Sequence, residues 1–167
     1  MRTDLELHVL LGSVGEAMTK SVVTLTEDTM GGEAARILER AGVSGAPVTR
    51  EGNVVGVVTL KDLMSRVGAS QVSPTGPFHR FEHLLAGIEV GEVMSRDVVK
   101  ARAAWSLARA IDAMDRAGVN RLPVVDETGY PVGILTRDDV IKAVAVRTRV
   151  DPRKERDHAR RVLVGSS

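Results

Sequence analysis

One unit of this chain occurs twice. Val14-Gly15-Glu16-Ala17-Met18 returns 76 residues later as Val90-Gly91-Glu92-Val93-Met94. At the same offset Val22-Val23 returns as Val98-Val99, Arg40-Ala41-Gly42-Val43 as Arg116-Ala117-Gly118-Val119, and Pro47-Val48 as Pro123-Val124. One extra residue then enters the second copy. At offset 77, Gly52, Val55, Gly56, Thr59 and Asp62 return as Gly129, Val132, Gly133, Thr136 and Asp139. A duplicated unit of about 55 residues constrains fold, symmetry and site number together. One such unit cannot bury its sheet face alone. Two can bury their sheets against each other about a pseudo-twofold axis, which leaves two equivalent clefts.

Each copy reads as strand-helix-strand-strand-helix. Val22 to Leu25 is short, β-branched and apolar, as a strand should be. From Gly31 to Ala41, the residues Ala34, Ile37, Leu38 and Ala41 share one helical face. Gly31-Gly32 is a poor helix start, so Asp28 or Thr29 is expected to supply the cap. Gly42 suits a left-handed helix stop. Ala46 to Thr49 and Val54 to Val58 form a hairpin across Arg50-Glu51-Gly52-Asn53, and Thr59 opens a helix to about Val67. In the second copy Val98-Val99 is the expected strand, and Ser106 caps a helix ended by Gly118. Leu122 to Val125 and Val132 to Leu135 flank a turn, and the last helix runs from Asp138 to about Arg147.

The resulting organisation is an N-terminal segment, 1–9; repeat one, 10–67; a linker, 68–87; repeat two, 88–147; and a basic tail, 148–167. Ser73-Pro74-Thr75-Gly76-Pro77 marks a loop in the linker. Phe78, Phe81, Leu84 and Leu85 then recur at helical spacing, which predicts a short helix packed onto the module. The N-terminal Leu5, Leu7, Val9, Leu10 and Leu11 suit a segment docked on the module or on a second subunit.

Composition narrows the classes. Apolar residues make up 43% and aromatics 2%, so a core must be built from Val, Ile, Leu, Ala and Met. A net charge of +1 gives no overall field towards nucleic acid or a membrane. The absence of cysteine excludes disulfides and thiolate metal sites. There is no apolar signal core at the N-terminus and no run of 18 apolar residues. A soluble, cytoplasmic protein is expected. His79 and His83 have i, i+4 spacing, but the one nearby third candidate, Glu82, falls on a different face, which predicts no metal site. No P-loop, GxSxG element or catalytic constellation is present, so no enzyme is expected.

Gly42-Val43-Ser44-Gly45-Ala46-Pro47-Val48, then Val55-Gly56-Val57-Val58-Thr59 and Asp62, resemble the cystathionine-β-synthase (CBS) domain. So do Gly118-Val119-Asn120-Arg121-Leu122-Pro123-Val124 and Val132-Gly133-Ile134-Leu135-Thr136-Arg137-Asp138-Asp139. Each motif is loose, but their order and duplication are specific. The resemblance implies an α+β fold of two tandem βαββα repeats packed sheet to sheet, a flat pair that often dimerises. It further implies a regulatory sensor, with AMP, ADP, ATP or S-adenosylmethionine in the inter-repeat clefts. No cofactor is required. Homodimerisation and an unidentified protein partner are expected, with no membrane and no nucleic acid.

Residue roles follow by the same resemblance. Asp62 and Asp139 correspond to ribose contacts, and Thr59 and Thr136 to phosphate contacts. Ser44-Gly45-Ala46 and Asn120-Arg121-Leu122, leading into Pro47 and Pro123, correspond to the wall near base and phosphate. Lys20, Thr24, Lys100 and Arg137 complete the candidate set, with Arg96 equivalent to Lys20. The residues themselves leave alternatives open. Thr-x-x-Asp after a strand and before a helix is also a capping box. A free helix N-terminus equally suits a phosphate, and an acceptor-only carboxylate suits two ribose hydroxyls. Arg121 fits a phosphate or a solvated strand edge. Arg96, Lys100, Arg121 and Arg137 together would make the cleft around Arg121 and Asp139 the more basic and the better phosphate site.

Two further readings compete: a ligand-free dimerisation module in which Thr-x-x-Asp only caps helices, and nucleic-acid contact through the tail. The tail's basic residues are offset by Asp151, Glu155 and Asp157, and no aromatics lie beside them. Stand-alone function is expected for 167 residues with no other domain.

Overall fold

The computed structural model describes residues 11–20, 23–67 and 83–147. The N-terminal apolar segment up to Leu10, the Phe78–Phe81 part of the linker and the basic tail lie outside the described residues.

Repeat one contains β1 (Leu25–Thr26), α2 (Gly31–Ala41), β2 (Gly45–Arg50), β3 (Asn53–Thr59) and α3 (Leu60–Val67), preceded by the single-turn helix α1 (Val14–Ala17). Repeat two contains α5 (Leu107–Ala117), β4 (Arg121–Val125), β5 (Pro131–Thr136) and α6 (Arg137–Arg147), preceded by the equivalent turn α4 (Val90–Val93). β1 pairs parallel with β2, and β2 pairs antiparallel with β3. β4 and β5 form the second antiparallel hairpin.

The first strand of each copy lies later than the β-branched pairs suggest. Val23 and Thr24 precede β1, and Val98-Val99 is not a strand. Leu25 and its equivalent Ala101 make the ladder contacts, to Val48 and Val124. They are also the residues that enter the cores, at 3% and 0% exposure. The valines turn towards the clefts described below.

Helix ends follow local chemistry. Gly42 and Gly118 have φ of 65° and 64°. The following amides, Val43 and Val119, reach back to Leu38 and Met114 carbonyls at 3.0 Å in both copies. This is a Schellman stop, and it fixes where Val43 and Val119 point. Ser106 caps α5, accepting from the Arg109 amide at 3.1 Å. α2 has no such cap, contrary to expectation: Met30 holds the position without a side-chain bond. Asp28 and Thr29 are occupied within their own turn, on Thr26. The Gly31 amide is satisfied by the Ile88 carbonyl at 2.6 Å. A Cβ on Gly31 would stand 3.2 Å from that oxygen, which accounts for glycine at the helix start.

The extra residue of copy two sits in the hairpin turn. β2 and β3 are joined by Glu51-Gly52, both at positive φ (51° and 81°), the two-residue loop that matches strand twist. In repeat two, the Gly129 amide donates to the Asp126 carbonyl at 3.1 Å and Gly129 takes φ 88°. That is the three-residue loop with one left-handed glycine. Both hairpins carry a register shift at the same place, Val48/Thr49 and Val124/Val125.

Each hairpin buries both faces. Ala46, Val48 and Val58 enter one helix-backed core, while Leu122, Val124 and Leu135 enter the other. The alternate positions face the opposite sheet: Gly45, Pro47, Val54 and Val57 in one, Arg121, Pro123, Val125 and Ile134 in the other. β3 touches β4, and Val54 N–H donates to the Gly129 carbonyl at 3.2 Å. The repeats therefore pack sheet to sheet.

The lead-in turns are exchanged. Val14, buried before repeat one, belongs to the core of repeat two. Val90 and Met94, before repeat two, belong to the core of repeat one. Thr19 exchanges both backbone hydrogen bonds with Ile134 of β5, and Ser95 does the same with Val57 of β3. Each lead-in thus adds an edge residue to the other copy's sheet.

Candidate functional site

Two cavities lie where the sheets meet. Cleft one, about 280 Å³, carries the Thr59-Asp62 corner of repeat one, and its opposite wall is Val98, Val99, Val119, Asn120 and Arg121 of repeat two. Cleft two, about 200 Å³, carries the Thr136-Asp139 corner of repeat two, with Val23, Val43, Ser44 and Gly45 of repeat one opposite. The two linings correspond at several positions. Val23 matches Val99, Val43 matches Val119, Val57 matches Ile134, and Thr19 matches Ser95. Each cleft is therefore built from the corner of one copy and the helix-stop loop of the other.

The corners are complete capping boxes. Asp62 Oδ2 accepts from the Thr59 amide and the Thr59 hydroxyl, both at 2.8 Å. The Asp62 amide donates back to Thr59 Oγ1 at 3.1 Å. Thr136 and Asp139 repeat this at 2.9, 2.9 and 3.2 Å. The arrangement locks each carboxylate rotamer through one oxygen. Oδ1 of each Asp has no partner among the described residues, so each corner retains an acceptor. Charge and hydrogen bonding are therefore held at a fixed point on a cleft wall, beside the N-terminus of α3 or α6.

Arg121 is half-buried where the copies meet. Its Nη2 donates to Ser44 Oγ at 3.0 Å, across the repeat boundary. Burial pushes its guanidinium below the ordinary arginine pKa, and the Asp62 carboxylate opposes that shift. Lys61 also lines cleft one, with Asp97.

The structure gathers Ser44, Thr59, Asp62, Asn120 and Arg121 around cleft one. It gathers Ser44, Gly45, Pro47, Arg121, Thr136 and Asp139 around cleft two. Other candidates stand elsewhere. Ala46 and Leu122 are on the core faces of their strands, and Pro123 is buried without lining either cavity. Lys20, Thr24 and Lys100 are exposed and line neither.

The basic cluster expected around Asp139 does not assemble. Arg137 donates to Asn120 Oδ1 at 2.9 Å and pairs with Asp115 at 2.5 Å. Arg96 pairs with Glu27 at 2.8 Å and donates to the Gly91 carbonyl. Oxygen acceptors of neighbouring segments (the Glu27 and Asp115 carboxylates, the Asn120 amide and the Gly91 carbonyl) take these guanidiniums before a cleft can. The apolar wall, Val57, Leu60, Val98, Val99 and Val119, was the part that motif reasoning passed over. The repeat alignment held the signal, because Val23/Val99 and Val43/Val119 are matched apolar pairs.

Fold and cavities define a two-repeat α+β module with paired clefts at the repeat interface. The chain matches the CBS domain at residues 14–69 and 90–146, and it belongs to that family. It is similar to an inosine-5'-monophosphate dehydrogenase of Methanocaldococcus jannaschii, 29% identical over 91% of this chain but only 26% of the enzyme. The chain thus spans about a quarter of that relative's length. Among solved structures, CBSX2 in complex with AMP is 28% identical, with a TM-score of 0.67 over 83% of this chain and 99% of that one. The CBS domain pair of protein MJ0100, in complex with 5'-methylthioadenosine and S-adenosyl-L-methionine, is 22% identical, with a TM-score of 0.67 over 81% and 98%. No helix among the described residues is long and apolar enough to cross a membrane.

Proposed function

We propose that this chain is a regulatory module that binds an adenine nucleotide (AMP, ADP or ATP) or S-adenosylmethionine in its inter-repeat clefts. The observation that carries the reading is the composition of cleft one. An apolar wall of valines and Leu60 suits a purine face. The Asp62 corner offers a fixed acceptor for ribose hydroxyls, and Lys61 and Arg121 offer donors for phosphate. The AMP complex of CBSX2 supports the choice of ligand. Cleft one, larger and with two lining cations, fills first. The module carries no chemistry of its own; ligand occupancy changes how it meets a partner protein. A homodimer fits the same reading, because Met64 on α3 and Ile141 on α6 are equivalent and 47% and 64% exposed.

One observation favours the alternative of a ligand-free structural module: both Thr-x-x-Asp corners are satisfied by their own residues. Thermal unfolding with AMP, ADP, ATP and S-adenosylmethionine separates the two. A ligand at a hundred times its Kd stabilises by about 2.7 kcal/mol, a rise of roughly 5–10 °C for a domain of this size. No shift with any of the four at millimolar concentration contradicts nucleotide binding. Light scattering at several concentrations tests the dimer.

A further inference from the structure

We propose that Arg121 is a single cation shared by the two clefts, so that filling one with a phosphate-bearing ligand weakens the other. The inference rests on the nucleotide reading above and adds its regulation. Positions 45 and 121 are equivalent in the repeat. A symmetric pair would bring two copies of one side chain together where the sheets meet. This chain has glycine at one position and arginine at the other. The guanidinium occupies the space that the glycine leaves: a Cβ on Gly45 would stand 2.5 Å from Arg121 Nη1. As a result, both cavities contain Arg121 and Ser44 in their walls.

The sharing is unequal. Cleft one has Lys61 as a second lining cation, whereas Arg121 is the only cation lining cleft two among the described residues. A guanidinium turned to a phosphate in cleft one is withdrawn from cleft two. If it bridges both, two phosphates are crowded around one charge and repel. Either geometry gives negative coupling, and coupling of binding equilibria is reciprocal. Partial burial sharpens the effect, because a desolvated cation bonds an anion more strongly than a hydrated one. Adenosine has no phosphate and escapes the competition.

Calorimetric titration with AMP and with adenosine tests this on the full chain and on variants with one cleft silenced, Asp62→Asn and Asp139→Asn. The amide retains an acceptor for the cap. Val119→Trp and Val43→Trp, which fill the clefts from the loop side, give an independent comparison should an Asp variant unfold. Sharing predicts that cleft two alone, in Val119→Trp, which keeps the Asp62 charge beside Arg121, binds AMP about tenfold tighter than the weaker AMP step of the unaltered chain. With adenosine that discrepancy vanishes, and in an Arg121→Gln background it vanishes for AMP as well. Single-cleft constants that reproduce both AMP steps of the unaltered chain overturn the sharing while leaving nucleotide binding intact. So does a cleft two that takes no AMP even when alone. No AMP bound by the unaltered chain overturns the nucleotide reading, and the sharing with it.

Discussion

The Met18 sulfur lies 2.5 Å from where a Cβ on Gly133 would stand, and Met94 holds the same relation to Gly56 at 2.6 Å. Each glycine is a seat for the lead-in of the other repeat. The neighbouring Thr19 and Ser95 carbonyls, at 3.0 and 2.9 Å from the same points, are backbone and cannot rotate away. Gly133→Ala and Gly56→Ala therefore push the lead-in off the sheet edge. Overpacking of this kind costs about 1–3 kcal/mol, which exceeds the few tenths gained from a stiffer unfolded chain. Urea denaturation of each variant measures it.

The exchange of lead-ins also makes an unusual claim about where damage appears. Val14 and Val90 are fully buried. Val14→Ala removes two methyl groups' worth of packing, about 2 kcal/mol with the cavity included. Amide exchange is expected to rise in α5, β5 and α6 of repeat two, not in α2 and α3. Val90→Ala is expected to do the reverse. Exchange rising in the variant's own repeat would contradict the packing.

Thr59 and Thr136 cap helices whether or not a ligand binds. Thr59→Ala and Thr136→Ala are each expected to lower stability by about 1 kcal/mol in the absence of ligand. Serine at either position keeps the hydroxyl and is expected to restore most of that loss. Thermal melts of the four variants check this.

Glu27 pairs on the surface with Arg96 of the second repeat's lead-in and with Arg50 of its own repeat. The Arg96 hydrogen bond, helped by Arg50 and opposed by partial desolvation, holds its carboxyl below the ordinary range. A lowered folded-state pKa means stability that is fully present above the unfolded value of about 4.3 and is lost as pH falls through the folded value. Glu27→Gln is thus expected to be less stable than the unaltered chain at pH 7. The gap should narrow as pH falls below about 4.3, close as pH falls through the lower folded-state value, and shrink in high salt. Denaturation midpoints across pH 3–7 measure it.

Much of the fold was legible in the residues. The duplication gave the symmetry, Gly42 and Gly118 gave the helix stops, and Thr-x-x-Asp gave the caps, because each depends on a few residues of local chemistry. The first strands were misplaced by a few residues, since Val23 and Val99 have strand propensity while Leu25 and Ala101 have the tertiary partners. The exchange of α1 and α4 left no local trace: lead-ins this similar fit either copy by sequence. The same limit applies to charge. Arg96 and Arg137 looked available to a cleft, but Glu27 and Asp115, 69 and 22 residues away, hold them.

A crystal structure grown in millimolar AMP tests nucleotide binding most directly. The expected result is AMP in cleft one, its base against Val98, Val99 and Val119, its ribose on Asp62 and its phosphate at Arg121. Crystals that leave both clefts free of AMP, or that hold it away from the Thr-x-x-Asp corners, would contradict it.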